Sequence, residues 1–165
     1  MCSFQLLVLA VCALALVGCD SVGPGLPSAP EADAEAWDEM LRAVNDVRAE
    51  GVRCGGTWMG PAPALVWDAR LETAALHHSH DMSRHGHFSH RGTDGLSTGE
   101  RVRRAGYDWR VVGENIARNQ RTVSEVVEDW IESPAHCQQL LSPRFVEIGA
   151  AEVDGYWTQV FGVPR

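Results

Sequence analysis

The chain has 165 residues and a mass of 18.0 kDa, enough for one domain with a proper core and too short for two full domains with linkers. With 45% apolar and 22% charged residues it is globular in composition, and 22 acidic against 14 basic side chains give a net charge of −8, which argues against non-specific nucleic-acid binding. All 14 basic residues are Arg, so Schiff-base chemistry, a P-loop lysine and a lysine general base are excluded.

Residues 1–18 carry no charged side chain and form an apolar run too short and too rich in small residues to span a membrane, so they read as an export signal. The run ends in Leu16-Val17-Gly18-Cys19, which is similar to a bacterial lipobox, where the Cys is diacylated and the peptide before it is removed. The expectation is a lipid-bearing Cys19 that anchors the exported protein on the periplasmic or extracellular face of a bacterial membrane. An ordinary secretory signal with an incidental Cys19 is the alternative, and the usual basic residue at the start of such signals is missing. Residues 19–34 are rich in Pro, Gly and acids and read as a flexible tether. Asp20 directly after Cys19 resembles the inner-membrane retention signal of some Gram-negative lipoproteins. The folded domain is then 35–165.

Within it, Trp37, Met40, Leu41, Val44 and Val47 recur at helical spacing and predict a helix over about 35–50, stopped by Gly51. A Gly- and Pro-rich loop carrying Cys54 follows. Asp68 reads as the N-cap of a helix ending at Gly86, with Leu71, Ala74, Ala75, His78 and Met82 on its inward stripe. Ser97-Thr98-Gly99-Glu100 and Thr122-Val123-Ser124-Glu125 read as capping boxes, the first opening a short helix that ends near Gly106. The second opens a helix with Val123, Val126, Val127, Trp130 and Ile131 inward, and Ser133-Pro134 opens another short one. Asp154-Gly155 between two β-prone runs predicts a closing hairpin, and Trp109–Val112 predicts an earlier strand. Helices first and a hairpin last make the class α+β.

If Cys2 and Cys12 leave with the signal and Cys19 is lipidated, Cys54 and Cys137 remain in the domain. Two Cys in an exported domain most simply pair, and a catalytic Cys is the rival reading. Six of the seven His lie between His77 and His90, and the seventh is His136. Four titratable residues sit in contexts that suggest positioning: His90 in Phe88-Ser89-His90, Glu114 in Gly113-Glu114-Asn115-Ile116-Ala117, Glu132 at the end of the Trp130 helix, and His136 just past Pro134. Read singly, His90 is a helix C-terminal cation, Glu114 a loop-holding acceptor and His136 a support for the Pro134 turn.

In order and spacing, FSH, GENIA, WIESPAHC, FVEIGAA and YWTQVF resemble the CAP superfamily of cysteine-rich secretory, antigen-five and pathogenesis-related proteins, in its bacterial SCP branch. His78-Ser79-His80-Asp81-Met82 is similar to the HS-x-DM pattern of Gram-negative members, and Cys54 and Cys137 match a cysteine pair of that branch. The resemblance, from about Asp38 to Gly162, implies an α-β-α sandwich with a small antiparallel sheet between helix layers. It also implies a central cleft holding His90, Glu114, Glu132 and His136, with the two His able to bind Zn²⁺ or another divalent cation and the two Glu beside it. His78 reads as a hydrogen-bonded core residue. His77, His80, His85 and His87 match no ligand position and offer at most adventitious metal affinity. Asn45 and Arg48, an early N-x-x-R, read as packing or hydrogen-bonding residues, and Trp67, Trp130 and Trp157 as core.

Two functions follow from the resemblance. The first is a monomeric, membrane-tethered, non-enzymatic module that engages a peptide, lipid, glycan or protein, supported by the lack of a Ser nucleophile motif. The second is a metal-dependent, protease-like hydrolase with Glu114 or Glu132 as general base, which two His ligands alone support poorly because catalytic zinc sites usually have three protein ligands.

Overall fold

A computed structural model describes the backbone of residues 31–165 and the side chains from Trp37 onward. The expected export signal, Cys19, Asp20 and most of the expected tether lie outside the described residues.

Helix α1 (Glu31–Glu50) begins four residues earlier than the apolar spacing predicts and buries Met40, Val44 and Arg48, one residue per turn on one stripe. It stops at Gly51, whose φ of +73° and close approach to the Met59 carbonyl leave no room for a Cβ. Helix α2 (Ala69–His85) has both predicted caps: the Asp68 carboxylate accepts from the Arg70 and Leu71 amides, and Gly86 closes the last turn at φ 63°. Its buried stripe contains Leu71, Ala74, Ala75, His78 and Met82, as the spacing requires. Helix α3 (Thr98–Arg104) opens with Glu100 reaching back to the Ser97 amide at 2.8 Å. In α4 (Val123–Glu132) the Thr122 hydroxyl accepts from the Glu125 amide, while the Glu125 carboxylate takes the Arg121 amide, one residue before the cap. Helix α5 (Pro134–Leu140) starts with its proline in the first turn, where the missing N–H costs nothing.

The sheet has the order β3-β5-β6-β4, with β3 (Val66–Trp67), β4 (Trp109–Arg118), β5 (Glu147–Val153) and β6 (Tyr156–Pro164). Strands β4, β5 and β6 are antiparallel, and the two-residue β3 adds in parallel at one edge. Asp154 and Gly155, at φ 51° and 80°, make the predicted tight turn between β5 and β6. Two features depart from expectation. The Gly- and Pro-rich loop contains a small hairpin of β1 (Val52–Cys54) and β2 (Thr57–Met59), and β4 runs on through the whole GENIA segment rather than ending at Val112.

Side-chain alternation sorts the sheet between two helix layers. One face sends Ala117, Ile148, Ala150, Trp157, Phe161 and Val163 into a core shared with α1, α4 and α5. The other sends Ala151 and Val160 against Leu71, Ala74 and Ala75 of α2, with Val102 and Tyr107. The result is the α-β-α sandwich. Gly149 permits the tightest contact in it, because a Cβ there would overlap the backbone of Leu71 and Glu72. Trp130 and Trp157 are core residues, whereas Trp67 is half-buried, stacked on Trp37 at 5.9 Å and donating to Glu72 at 2.8 Å. Cys54 and Cys137, 83 residues apart, form a disulfide between the small hairpin and α5.

Candidate functional site

The alternation on β4 decides what each residue of GENIA can do. Glu114 points to the α2 side of the sheet, and Gly113 and Asn115 to the α5 side. Glu114 is buried, with its side chain only 3% exposed. Its Oε1 lies 2.8 Å from His90 Nδ1, and its Oε2 accepts from Arg101 Nη2 at 2.5 Å. Burial alone would push this carboxyl up, but the His90 hydrogen bond and the Arg101 charge hold it below the ordinary Glu range. An ionised carboxylate can only accept, so His90 donates its Nδ1–H to it, from a side chain that is 55% exposed.

The segment carrying His90 is held from behind. His78, buried in α2, donates Nε2–H to the Ser89 carbonyl at 2.9 Å, which leaves its Nδ1 without a partner among the described residues. Arg101 donates to the carbonyls of His90 and Leu96, both at 3.0 Å, as well as to Glu114. Asp81 pins the far end of the loop by accepting from the Thr93 amide and hydroxyl, with His85 and His87 at 3.0 and 3.6 Å from its carboxylate. His77 and His80 are exposed on α2.

The other half of the site comes from α5. His136 is half-buried near the start of that helix. Burial, and then repulsion from His90 when that ring is protonated, hold its imidazole below the ordinary His range. Asn115 Nδ2 donates to the His136 carbonyl at 3.3 Å, and Gln139 Nε2 donates to the Glu114 carbonyl at 2.8 Å. The disulfide holds Cys137, next to His136. The buried Arg48 grips the far end of α5, donating to the carbonyls of Leu140 at 2.7 Å, Ser142 at 3.0 Å and Pro63 at 2.8 Å. Asn45 exchanges two hydrogen bonds with the Leu65 backbone, so both residues of the N-x-x-R pattern tie backbone segments together.

The fold thus brings His90 and Glu114 into contact and couples His136 to His90. It places Glu132 at the exposed end of α4 with no hydrogen bond or ion pair among the described residues. Among those residues no three His, Cys, Asp or Glu side chains are grouped to close around an ion. Sequence reasoning misses Arg101 and Gln139. Arg101 reads as one of several solvated arginines on a short helix. The only hint of Gln139 is its place one turn after His136.

A layered α+β domain with paired His and Glu at the outer edge of β4 defines a CAP-type sandwich. A sequence model of the cysteine-rich secretory protein family (CAP) matches residues 41–161, and the chain belongs to that family. YkwD of Bacillus subtilis, an uncharacterized protein, is 34% identical over 99 residues, which are 59% of this chain and 38% of that one. An extracellular SCP-domain protein from Bacillus anthracis superposes with a TM-score of 0.65 at 25% identity, covering 84% of this chain and 45% of its own. An outer surface protein from Borrelia burgdorferi shares the fold at a TM-score of 0.63 and 17% identity, over 82% of this chain and 94% of that one. The chain therefore spans less than half the length of YkwD and of the B. anthracis protein. No described helix is long and apolar enough to cross a membrane.

Proposed function

We propose that the chain is an exported CAP module, tethered to a membrane through Cys19, whose His90/His136 cleft binds a ligand rather than turning one over and is able to hold a divalent cation such as Zn²⁺. The observation that carries this reading is the state of Glu114. Each of its oxygens is engaged, one by His90 and one by Arg101, in a nearly closed pocket. Such a carboxylate fixes an imidazole; with its side chain only 3% exposed, it is poorly placed to take a proton from water. Glu114 takes the Nδ1 side of His90, which leaves Nε2 as its ligating nitrogen, and the lowered His136 favours the neutral form a metal requires. Two imidazoles suit Zn²⁺ and leave the remaining positions to water or to an acceptor group of a peptide, lipid, glycan or protein.

The hydrolase reading would place the general base on Glu132, and no observation favours that: the residue is exposed, and both domain cysteines are in the disulfide rather than free as nucleophiles. Calorimetric Zn²⁺ titration of the untagged domain against His90→Ala/His136→Ala tests the cleft. Binding lost in the double variant supports it, and binding unchanged moves the metal to the His-rich α2 face. Peptide or ester turnover abolished by Glu132→Gln would reverse the preference for a binding module. Palmitate labelling that persists in Cys19→Ser would remove the tether.

A further inference from the structure

We infer that Gln139 and Asn115 are positioning residues, a reciprocal pair of amides that locks α5 against β4 and thereby sets where His136 stands relative to His90. Each element gives one hydrogen bond and takes one. Gln139 of α5 donates to the carbonyl of Glu114, the residue that orients His90, and Asn115 of β4 donates to the carbonyl of His136 itself. The four residues are two sequence-local pairs, 114 with 115 and 136 with 139, so the clasp falls on the turns that carry the site. His90 comes from the loop after α2 and His136 from α5, and the clasp joins α5 to the strand whose Glu114 holds His90.

Three further observations support a built arrangement rather than a passing contact. Asn115 is fully buried, and its amide is itself oriented by Gln159 Oε1 at 3.1 Å, whose own Nε2 lies 3.6 Å from the Met40 sulfur. Gly113 has no side chain where one would interfere: a Cβ there would overlap Gln139 Oε1 and lie 2.7 Å from the Phe145 ring. Helix α5 has only 7 residues, too few to hold its own geometry in water, so its orientation is imposed from outside. The disulfide fixes Cys137 and Arg48 fixes Leu140. The clasp fixes the remaining side, which carries His136 and Gln139.

The functional consequence rests on the metal-capable cleft proposed above, so the test has one arm with metal and one without. Gln139→Met keeps the length of the side chain and removes the donor. Gln139→Glu turns a donor into an acceptor facing a carbonyl. At a temperature where all variants are folded by circular dichroism, Zn²⁺ affinity is expected to fall about tenfold in Gln139→Met, the range seen when an outer partner of a metal site is removed, and further in Gln139→Glu. Without metal, the ring carbon–proton NMR signals of His136 are expected to shift or split in Gln139→Met, while those of the exposed, remote His80 stay in place. Zn²⁺ affinity within about twofold of wild type, where removal of such a partner should cost at least tenfold, or unmoved His136 signals, overturns the proposal. If the wild type binds no Zn²⁺, the metal reading fails and the NMR arm alone decides the clasp. If Gln139→Met does not fold, Gln139→Asn, which keeps an amide one carbon too short to span the gap, is read by the same two arms.

Discussion

His78 and His136 are both held below the ordinary imidazole range, His78 by burial against the pull of Glu114, and His136 by burial and then by the charge of His90. A depressed folded value means that the unfolded chain binds the proton more readily. The stability these residues contribute is therefore complete above the unfolded value of about 6.5 and is lost as pH falls from there through their lower folded values. Melting temperature should drop as pH falls below about 6.5, and the drop should be smaller in His136→Gln; an identical slope in that variant would remove His136 from the account. Arg48 makes a second residue-level case. It is fully buried, and among the described residues backbone carbonyls, not carboxylates, accept its hydrogen bonds. Lys cannot reproduce that fork, so Arg48→Lys should cost about 2–4 kcal/mol by denaturant titration. Part of this scale is legible in sequence. His90 and Glu114 stand out by their motifs, and they touch. Arg101 does not, because what distinguishes it from Arg103 and Arg104 beside it is burial against Glu114, thirteen positions along the chain.

Among the elements, the long helices and the closing hairpin can be read directly, because caps and a two-residue turn are local chemistry: Asp68, Gly86, Thr122 and Asp154-Gly155 act within a few residues of themselves. The small strands cannot. β3 has two residues and exists because β5 lies beside it, and β1–β2 hides among glycines and prolines and is held to α5 by a disulfide. β4 reads short in sequence because Glu114 and Asn115 are poor strand formers; they are in the strand for the sake of what their side chains bind. The tightest helix–sheet contact gives an element-level prediction. Gly149→Ala would drive a methyl into the α2 backbone and should destabilise by about 3 kcal/mol, at the upper end of overpacking costs, whereas the exposed cap change Thr122→Ala should cost only about 1 kcal/mol. Equal melting shifts for the two would mean that α2 yields where the geometry says it is rigid.

For the whole molecule, the disulfide is the longest-range covalent constraint among the described residues, joining positions 83 apart. On the chain-entropy view, a loop of that size is worth about 4–5 kcal/mol. Cys54→Ser/Cys137→Ser should lower the urea midpoint accordingly, and a midpoint within experimental error of wild type would show that the reduced, unfolded chain is already compact. The α+β class and the three-layer sandwich are legible at this scale from the order of motifs. The half of the site built on α5 is less so, because its placement comes from a distant cysteine, a buried arginine and two amides rather than from any local pattern.

The side chains that arrange α5 and α4 also close a border. Trp130 donates its indole N–H to the Ile116 carbonyl, and Gln139 donates to that of Glu114, so two outward acceptors of β4 are already occupied. A strand from a neighbouring copy would have to expel an indole and an amide before it could pair there. The long edge of this sheet is thus a poor template for aggregation.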